Sequence, residues 1–152
     1  MIDIRTDDLG GEDVQALLRL HLESMRDGSP PGLSFALDLS GLRAPGVTVW
    51  TAWRETKLAG VGAMKALGNA TGELKSMRTH PDHLRAGVAA AILEHAIGEA
   101  RARGYRRLSL ETGYGPLFEP ALALYRRRGF VKGDAFADYA TTEFNQFFHL
   151  DL

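Results

Sequence analysis

A run of small residues, Ala86 to Ala91, marks the point where a predicted strand passes into a predicted helix. Small side chains there leave the backbone open to another molecule. The first amide hydrogens of a helix have no partner within the helix and lie at the positive end of its dipole. Such amides form an anion site that suits a phosphate ester. The spacing alone leaves open a plainer interpretation, in which the alanines favour a helix and Gly87 closes a turn.

Other nucleotide-binding and metal-binding patterns are missing from the chain. GxxxxGK followed by Ser or Thr does not occur, which excludes a Walker-type phosphate loop, and the absence of GxGxxG disfavours a dinucleotide-binding fold. His80 and His83 are three residues apart with Pro81 between them. Two ligands are too few for a structural metal site, so no metal is predicted.

The composition excludes several classes of protein. The chain has no cysteine, which rules out a thiol nucleophile, a disulfide framework and a cysteine-ligated zinc or iron-sulfur site. With 18 basic and 19 acidic residues the net charge is -1, so the basic surplus of a sequence-independent nucleic-acid binder is missing. No apolar run approaches membrane-spanning length, and the start MIDIRTDD does not resemble a secretory signal. We therefore expect a soluble, cytoplasmic protein with neither nucleic acid nor membrane as a partner.

Hydrophobic periodicity predicts a mixed α/β domain that spans residues 1–152. A period of two predicts strands, and a period near 3.6 predicts helices. From Asp27 to Gly46 the chain is rich in glycine and proline, which predicts a loop with one helical turn. The predicted strands are Met1–Arg5, Val47–Trp53, Leu58–Leu67, Glu73–Thr79, Arg106–Thr112, Phe130–Lys132 and Phe144–Leu150; the predicted helices are Glu12–Met25, Val88 to the stop at Gly104, and Leu117–Arg128.

From Glu73 to Phe130 the chain resembles the GCN5-related N-acetyltransferases (GNAT), which transfer an acetyl group from acetyl-CoA to amines. The resemblance rests on the segment ELKSMRTHP, on the spacing of Gly87 and Ala89, and on LYRRRGF further along. The family's acetyl-CoA signature places Gln or Arg where this chain has Leu84. The resemblance implies a mostly antiparallel sheet of about six or seven strands, splayed between the fourth and fifth and flanked by three or four helices.

In this family the pantetheine arm of CoA bonds to the backbone of the strand before the small-residue turn, and the diphosphate lies on the amides of the turn. The resemblance therefore implies that acetyl-CoA is the co-substrate. The residues implied to bind it are Met77, Arg78, Thr79, Leu84, Arg85, Ala86, Gly87, Val88, Ala89, Ala90 and Tyr125.

The resemblance also implies two catalytic roles. Tyr125 occupies the tyrosine position of the family's last helix, from which the hydroxyl protonates the leaving thiolate; a plain core tyrosine is the alternative. Glu73 matches a strand position from which several relatives draw their general base, and strand alternation predicts that it shares a face with Met77. An exposed charge paired with Lys75 or Arg78 is the alternative for Glu73, and Glu111 is the reserve base.

These features predict an N-acetyltransferase that transfers acetyl directly to a primary amine of a small molecule or an amino acid. Acetylation of a protein N-terminus or of lysine is one alternative, and a non-catalytic acyl-CoA sensor is another. Relatives often dimerise, and the apolar segment FNQFFHL near the C-terminus offers a strand through which a homodimer is able to pair.

Overall fold

A seven-stranded sheet with helices on both faces makes up the protein, and the computed structural model describes residues 1–152. Every predicted strand and helix is confirmed to within two residues at its ends, and the predicted helical turn in the glycine-rich loop is α2. The elements in chain order are β1 (Ile2–Thr6), α1 (Glu12–Asp27), α2 (Leu39–Leu42), β2 (Val47–Arg54), β3 (Lys57–Gly68), β4 (Thr71–Thr79), α3 (Val88–Ala102), β5 (Arg107–Gly113), α4 (Glu119–Arg128), β6 (Val131–Gly133) and β7 (Asn145–Asp151).

The strands lie in the order β1-β2-β3-β4-β5-β7-β6. The first four form an antiparallel meander, because short turns join each to the next. β4 and β5 are parallel neighbours, since α3 crosses over between them. The helices occupy opposite faces: α1 and α2 pack beside Val61 and Ala63 of β3, whereas α3 and α4 pack beside Met64 of β3 and Leu74 of β4.

The parallel strands β4 and β5 separate part of the way along. Their pairing covers only Thr71 to Glu73 against Arg107 to Ser109. Beyond this point β4 remains paired with β3, and β5 remains paired with β7. The predicted splay between the fourth and fifth strands is thus confirmed, and the facing edges of Leu74–Thr79 and Leu110–Gly113 have no partner strand.

A β-bulge in β4 changes which side chains share a face. Arg78 pairs with Val61 and Lys75 pairs with Ala63, which leaves both Ser76 and Met77 opposite Gly62. Ser76 has a φ of 56°, in the left-handed region. The extra residue reverses the alternation, so the prediction that Glu73 and Met77 share a face is wrong. Arg78 instead lies on the α1 face with Glu73, and Met77 packs against α3.

The C-terminal strand β7 is an interior strand of the sheet. It pairs with β5 along its whole length and with β6 through Phe147 to His149. Phe147 and Phe148 are both buried. The expectation that the segment FNQFFHL offers a free strand to a second subunit is therefore wrong, because its own chain already flanks it on both sides.

Candidate active site

A cavity of about 630 Å³ lies against the unpaired edges of β4 and β5. Its wall combines β4 from Leu74 to Thr79, the turn that leads into α3, β5 from Leu110 to Gly113, and part of α4. His21 of α1 and the loop segment 33–36 line it from the other face of the sheet. Segments far apart in the sequence therefore meet around one space, and the splay is what opens it.

The start of α3 presents free backbone to this cavity. Gly87 precedes the helix with φ +79°, no side chain caps the helix, and the first intrahelical bond is donated by Ala91 to the Gly87 carbonyl. The amides of Val88, Ala89 and Ala90 therefore have no partner within the helix. A Cβ at Gly87 would meet nothing within 4 Å, so the approach to these amides is open. This arrangement supports the anion site predicted from the small residues.

Tyr125 lines the same cavity from α4. The helix begins after Phe118, with Pro120 in its first turn, and ends where Gly129 adopts φ +107°. Its buried residues Leu122 and Tyr125 are three apart and so face the sheet together. Burial raises the pKa of Tyr125 above its ordinary value, so the phenol keeps its proton at neutral pH.

Glu111 is the carboxylate on the cavity wall. It lies on β5, pairs with Phe147 of β7, and faces away from Leu110. Burial raises the pKa of Glu111 to about 7; the positive charge of Lys75 acts against this rise, and the negative charge of Glu73 adds to it. A carboxyl group with this pKa exchanges a proton readily at neutral pH.

Glu73 is buried beside the cavity and does not line it. Its Oε2 accepts hydrogen bonds from Lys75 Nζ at 3.1 Å and from the Tyr139 hydroxyl at 2.5 Å. Lys75 Nζ also donates to the Tyr139 hydroxyl at 2.8 Å. The ion pair with Lys75 named as the alternative for Glu73 is present, although it is buried and not exposed.

Comparison with known proteins assigns the family. The model of the acetyltransferase (GNAT) family matches residues 14–130. The chain belongs to the GNAT acetyltransferase family.

The similarity of this GNAT enzyme to its relatives covers nearly the whole chain. It is 52% identical over 136 residues to YsnE of Bacillus subtilis, an uncharacterized N-acetyltransferase, with 90% of each chain covered. It is 47% identical to YedL of Escherichia coli, also an uncharacterized N-acetyltransferase, over 100% of this chain and 96% of the relative. A solved structure with the same fold is the PaiA N-acetyltransferase of Thermoplasma acidophilum in complex with coenzyme A. It matches this chain with a TM-score of 0.77 and 14% identity, and the match covers 100% of this chain and 99% of PaiA.

The residues of this GNAT enzyme fit acetyl-CoA, the co-substrate of the family. The open amides of α3 suit a diphosphate, and the unpaired edge of β4 suits the amides of a pantetheine arm. Leu84 is 63% exposed at the rim, so this apolar residue leaves the amides accessible. The predicted residues that line the cavity are Met77, Arg78, Thr79, Leu84, Arg85, Gly87, Val88, Ala89, Ala90 and Tyr125.

Two predicted residues of the GNAT site lie off the cavity wall. Ala86 packs against the core group that contains Val88 and Ile92. Glu73 is held by Lys75 and Tyr139, as described above, and Glu111 takes the position at the cavity.

Two cavity residues, His21 and Ser76, were missed by reasoning from the sequence. His21 occupies a core position in the apolar stripe of α1. A histidine in a stripe of leucines is unusual, and this could have marked it in the sequence as a candidate site residue. No feature of the sequence marks Ser76, because its orientation depends on the bulge.

None of the helices combines the length and the apolar composition needed to cross a lipid bilayer.

Proposed function

We propose that this protein, as one catalytic domain over residues 1–152, transfers acetyl from acetyl-CoA to the primary amine of a small molecule. The observation that carries the proposal is that Glu111 and Tyr125 line the same cavity as the open amides of α3. A base, an acid and an anion site around one space are the parts that acetyl transfer to an amine requires.

The donor side of the cavity is formed by α3 and β4. The amides of Val88, Ala89 and Ala90 would hold the diphosphate, and the unpaired backbone of Met77 to Thr79 would bond to the pantetheine arm. Bound acetyl-CoA supplies an acetyl group activated as a thioester. A backbone amide near Met77 would polarise the acetyl carbonyl, and loss of such a donor typically costs ~3 kcal/mol in the barrier.

Glu111 is the proposed general base. An amine reaches the enzyme mostly as an ammonium ion and has to lose a proton before its lone pair attacks. The carboxylate of Glu111 lines the cavity, and its pKa of about 7 matches the working pH of a base. Glu73, predicted for this role from the resemblance, already accepts hydrogen bonds from Lys75 and Tyr139, so we propose that it holds Lys75 in place.

Tyr125 is the proposed general acid. The new bond forms between the amine nitrogen and the acetyl carbon as the carbon–sulfur bond breaks, and Tyr125 gives its proton to the leaving sulfur. Of the two protons that the ammonium ion loses, Glu111 accepts the first and the second restores the Tyr125 hydroxyl. The raised pKa of Tyr125 keeps the acid protonated between turnovers.

The proposed acceptor is a small molecule because the acceptor side of the cavity is covered. The loop after α1 contributes Leu33 to Ala36, and Phe35 packs edge-to-face on Tyr139 at a centroid distance of 5.3 Å. A protein N-terminus or lysine would have to enter beneath this loop.

A screen for CoA release tests the proposal. Purified protein, acetyl-CoA and a panel of primary amines are incubated with a thiol reagent that detects free CoA, and mass spectrometry identifies the acetylated amine. We expect release that depends on at least one amine. Tight binding of acetyl-CoA without turnover of any amine or peptide in the panel would contradict the proposal and favour a sensor.

A further inference from the structure

Three buried polar atoms without a hydrogen-bond partner lie beside the active-site cavity. They are His21 Nδ1, Ser76 Oγ and Arg78 Nε. The side chains that carry them all line this cavity. His21 is 7% exposed and Ser76 is 9% exposed. Buried polar groups in proteins are normally paired, so three such groups beside one cavity indicate a place for a ligand.

The fold brings two of these side chains, His21 and Arg78, to the same face of the sheet, and Ser76 lies on the same strand as Arg78. Arg78 pairs with Val61, and Val61 packs against α1, so the Arg78 side chain lies on the α1 face. His21 is the last buried residue of the apolar stripe of α1 and is close enough for the charge of Arg78 to affect its titration. Ser76 is the bulged residue two positions before Arg78.

The positive charge of Arg78 has no counterion. Arg78 takes part in none of the ion pairs of the protein. Its neighbour His21 supplies no charge at neutral pH, because burial and the charge of Arg78 lower the pKa of His21 to about 4. A partly buried cation without a partner destabilises a protein, since desolvation is not offset by attraction. Nothing in the core explains this arrangement, whereas an anionic ligand would.

Arg78 and His21 are separate from the anion site proposed for the diphosphate. The open amides belong to α3, which packs on the opposite face of the sheet, where Met77 contacts it. Glu111, by contrast, lies on the acceptor side with Lys75 and Glu73. An acceptor that extends from Glu111 toward Arg78 would therefore have its amine at the base and a second group at the guanidinium.

We propose that the acceptor amine carries an oxyanion, a carboxylate or a phosphonate or phosphate, and that Arg78 binds it with the help of Ser76 and His21. This inference rests on the proposed function. A guanidinium binds either type of oxyanion through paired hydrogen bonds, and the Ser76 hydroxyl and a neutral imidazole can each donate one more. The acceptor class is then amino acids or amines of similar charge.

The test uses matched sets of acceptors on one carbon skeleton. Each of several amino acids is compared with its carboxamide and with its aminophosphonate analogue, and kcat/KM is measured by CoA release. We expect the anionic members to exceed the carboxamide by roughly 10- to 100-fold, the effect of a charge-assisted pair. The comparison of carboxylate with phosphonate identifies which oxyanion the site takes.

Variants of Arg78 separate binding of the anion from a structural role. Arg78→Met should raise KM for the anionic acceptor roughly 10- to 100-fold more than it raises KM for the carboxamide. Arg78→Lys should restore part of the loss. Because Arg78→Met also removes the unpaired cation, the thermal midpoint of this variant should be higher than that of the wild type. Arg101→Met, an exposed arginine of α3 without an ion pair, is the matched control and should behave as the wild type.

The outcomes distinguish failure of this inference from failure of the proposed function. Equal kcat/KM for carboxylate, phosphonate and carboxamide, or an equal effect of Arg78→Met on all three, would overturn the anionic acceptor while acetyl transfer stands. If amines without an anionic group are the ones acetylated, the inference is again overturned. No acetylation of any amine, with acetyl-CoA bound, would overturn the proposed function and this inference with it.

Discussion

At the scale of single residues, Glu73 and Glu111 have different surroundings although both are glutamates. Both lie on the α1 face of the sheet, near Lys75. Glu73 forms an ion pair with Lys75 and accepts a hydrogen bond from Tyr139. Glu111 has no such partner and is partly buried at the cavity, which favours its protonated form. Environment therefore favours Glu111 over Glu73 as the proposed base.

Replacement of Glu111 by Gln tests the base. In the wild type, kcat/KM should fall as the pH drops below about 7, because the carboxylate takes up a proton. Glu111→Gln should lower kcat at least ~100-fold and remove this limb of the profile. Stopped assays from pH 5.5 to 9 measure both. If the pH profile of Glu111→Gln still falls below pH 7, Glu111 is not the base. If the fall disappears in Glu73→Gln instead, Glu73 is the base.

The same substitution should affect stability with a defined pH dependence. A carboxyl whose pKa is raised by folding binds its proton more tightly in the folded state, so it lowers the free energy of unfolding as the pH rises through about 7. Glu111→Gln should therefore be more stable than the wild type at pH 8, by about 1–2 kcal/mol after allowance for partial exposure. The gain should vanish near pH 4.5. Urea unfolding at the two pH values measures the difference.

Replacement of Tyr125 by Phe tests the acid with little change in packing. We expect kcat to fall at least ~100-fold, because the leaving thiolate loses its proton donor. KM for acetyl-CoA and the thermal midpoint should change little, since the ring remains in the core. Unchanged turnover would leave Tyr125 as a core residue alone. Tyr105→Phe, a tyrosine outside the cavity wall, serves as the control.

At the scale of elements, the start of α3 and the bulge of β4 form the two sides of the site. Gly87 lets the chain turn into α3 with its amides uncovered. The bulge at Ser76 directs Met77 to α3 and Arg78 to α1. One irregular residue in a strand thus decides which side chains face α3 and which face α1.

A glutamate at Gly87 should abolish CoA binding. Its carboxylate would compete for the α3 amides and repel the diphosphate. The fold should survive, because a side chain at this position meets nothing within 4 Å, although the positive φ adds strain of about 1 kcal/mol. Calorimetry measures CoA binding, and circular dichroism measures folding. Gly98→Glu, on an exposed position of the same helix, is the matched control and should bind CoA normally.

An alanine at Gly62 should destabilise the contact between the bulge and α3. A Cβ there would lie 2.6 Å from Ile92 Cγ2 and 2.7 Å from Met77 Sδ. Crowding of this kind typically costs about 1–3 kcal/mol. Denaturant unfolding should show this loss for Gly62→Ala. Gly98→Ala, which meets no neighbour, should stabilise the helix by up to about 1 kcal/mol. Equal stability of the two variants would contradict the close packing at the bulge.

At the scale of the whole molecule, the splay opens the one cavity in which we propose that both substrates bind. The proposed donor side is built from α3 and β4, and the proposed acceptor side from α1, its following loop and β5. The chain has no cysteine, so no thiol is available to carry the acetyl group between two half-reactions. Both substrates are therefore expected to be bound together when acetyl is transferred.

Steady-state kinetics test this ternary complex. Double-reciprocal plots of rate at several fixed acceptor concentrations should intersect, as sequential kinetics require. Incubation of the enzyme with acetyl-CoA alone should leave no acetyl group on the intact protein by mass spectrometry. Parallel lines together with an acetylated protein would indicate an acetyl-enzyme and contradict direct transfer.

The order of the strands and helices could be predicted from the sequence because each element depends on local patterns. A period of two marks Val47 to Trp53 as a strand, and a period of 3.6 marks Val88 to Ala100 as a helix. The anion site was equally local, since Gly87 and the amides of α3 are neighbours in the chain. The resemblance placed Tyr125 at the cavity for the same reason, because its helix position is set by short-range spacing.

Only the tertiary structure decided which carboxylate lines the cavity and which face of the sheet Arg78 occupies. Glu111 lines the cavity, and Glu73 does not, because Tyr139, 66 residues further on, folds back to bond with Glu73. Arg78 faces α1 because one bulged residue reverses the alternation on which any strand prediction depends. Burial, pairing and bulges arise from contacts between distant segments, so periodicity and composition alone cannot reveal them.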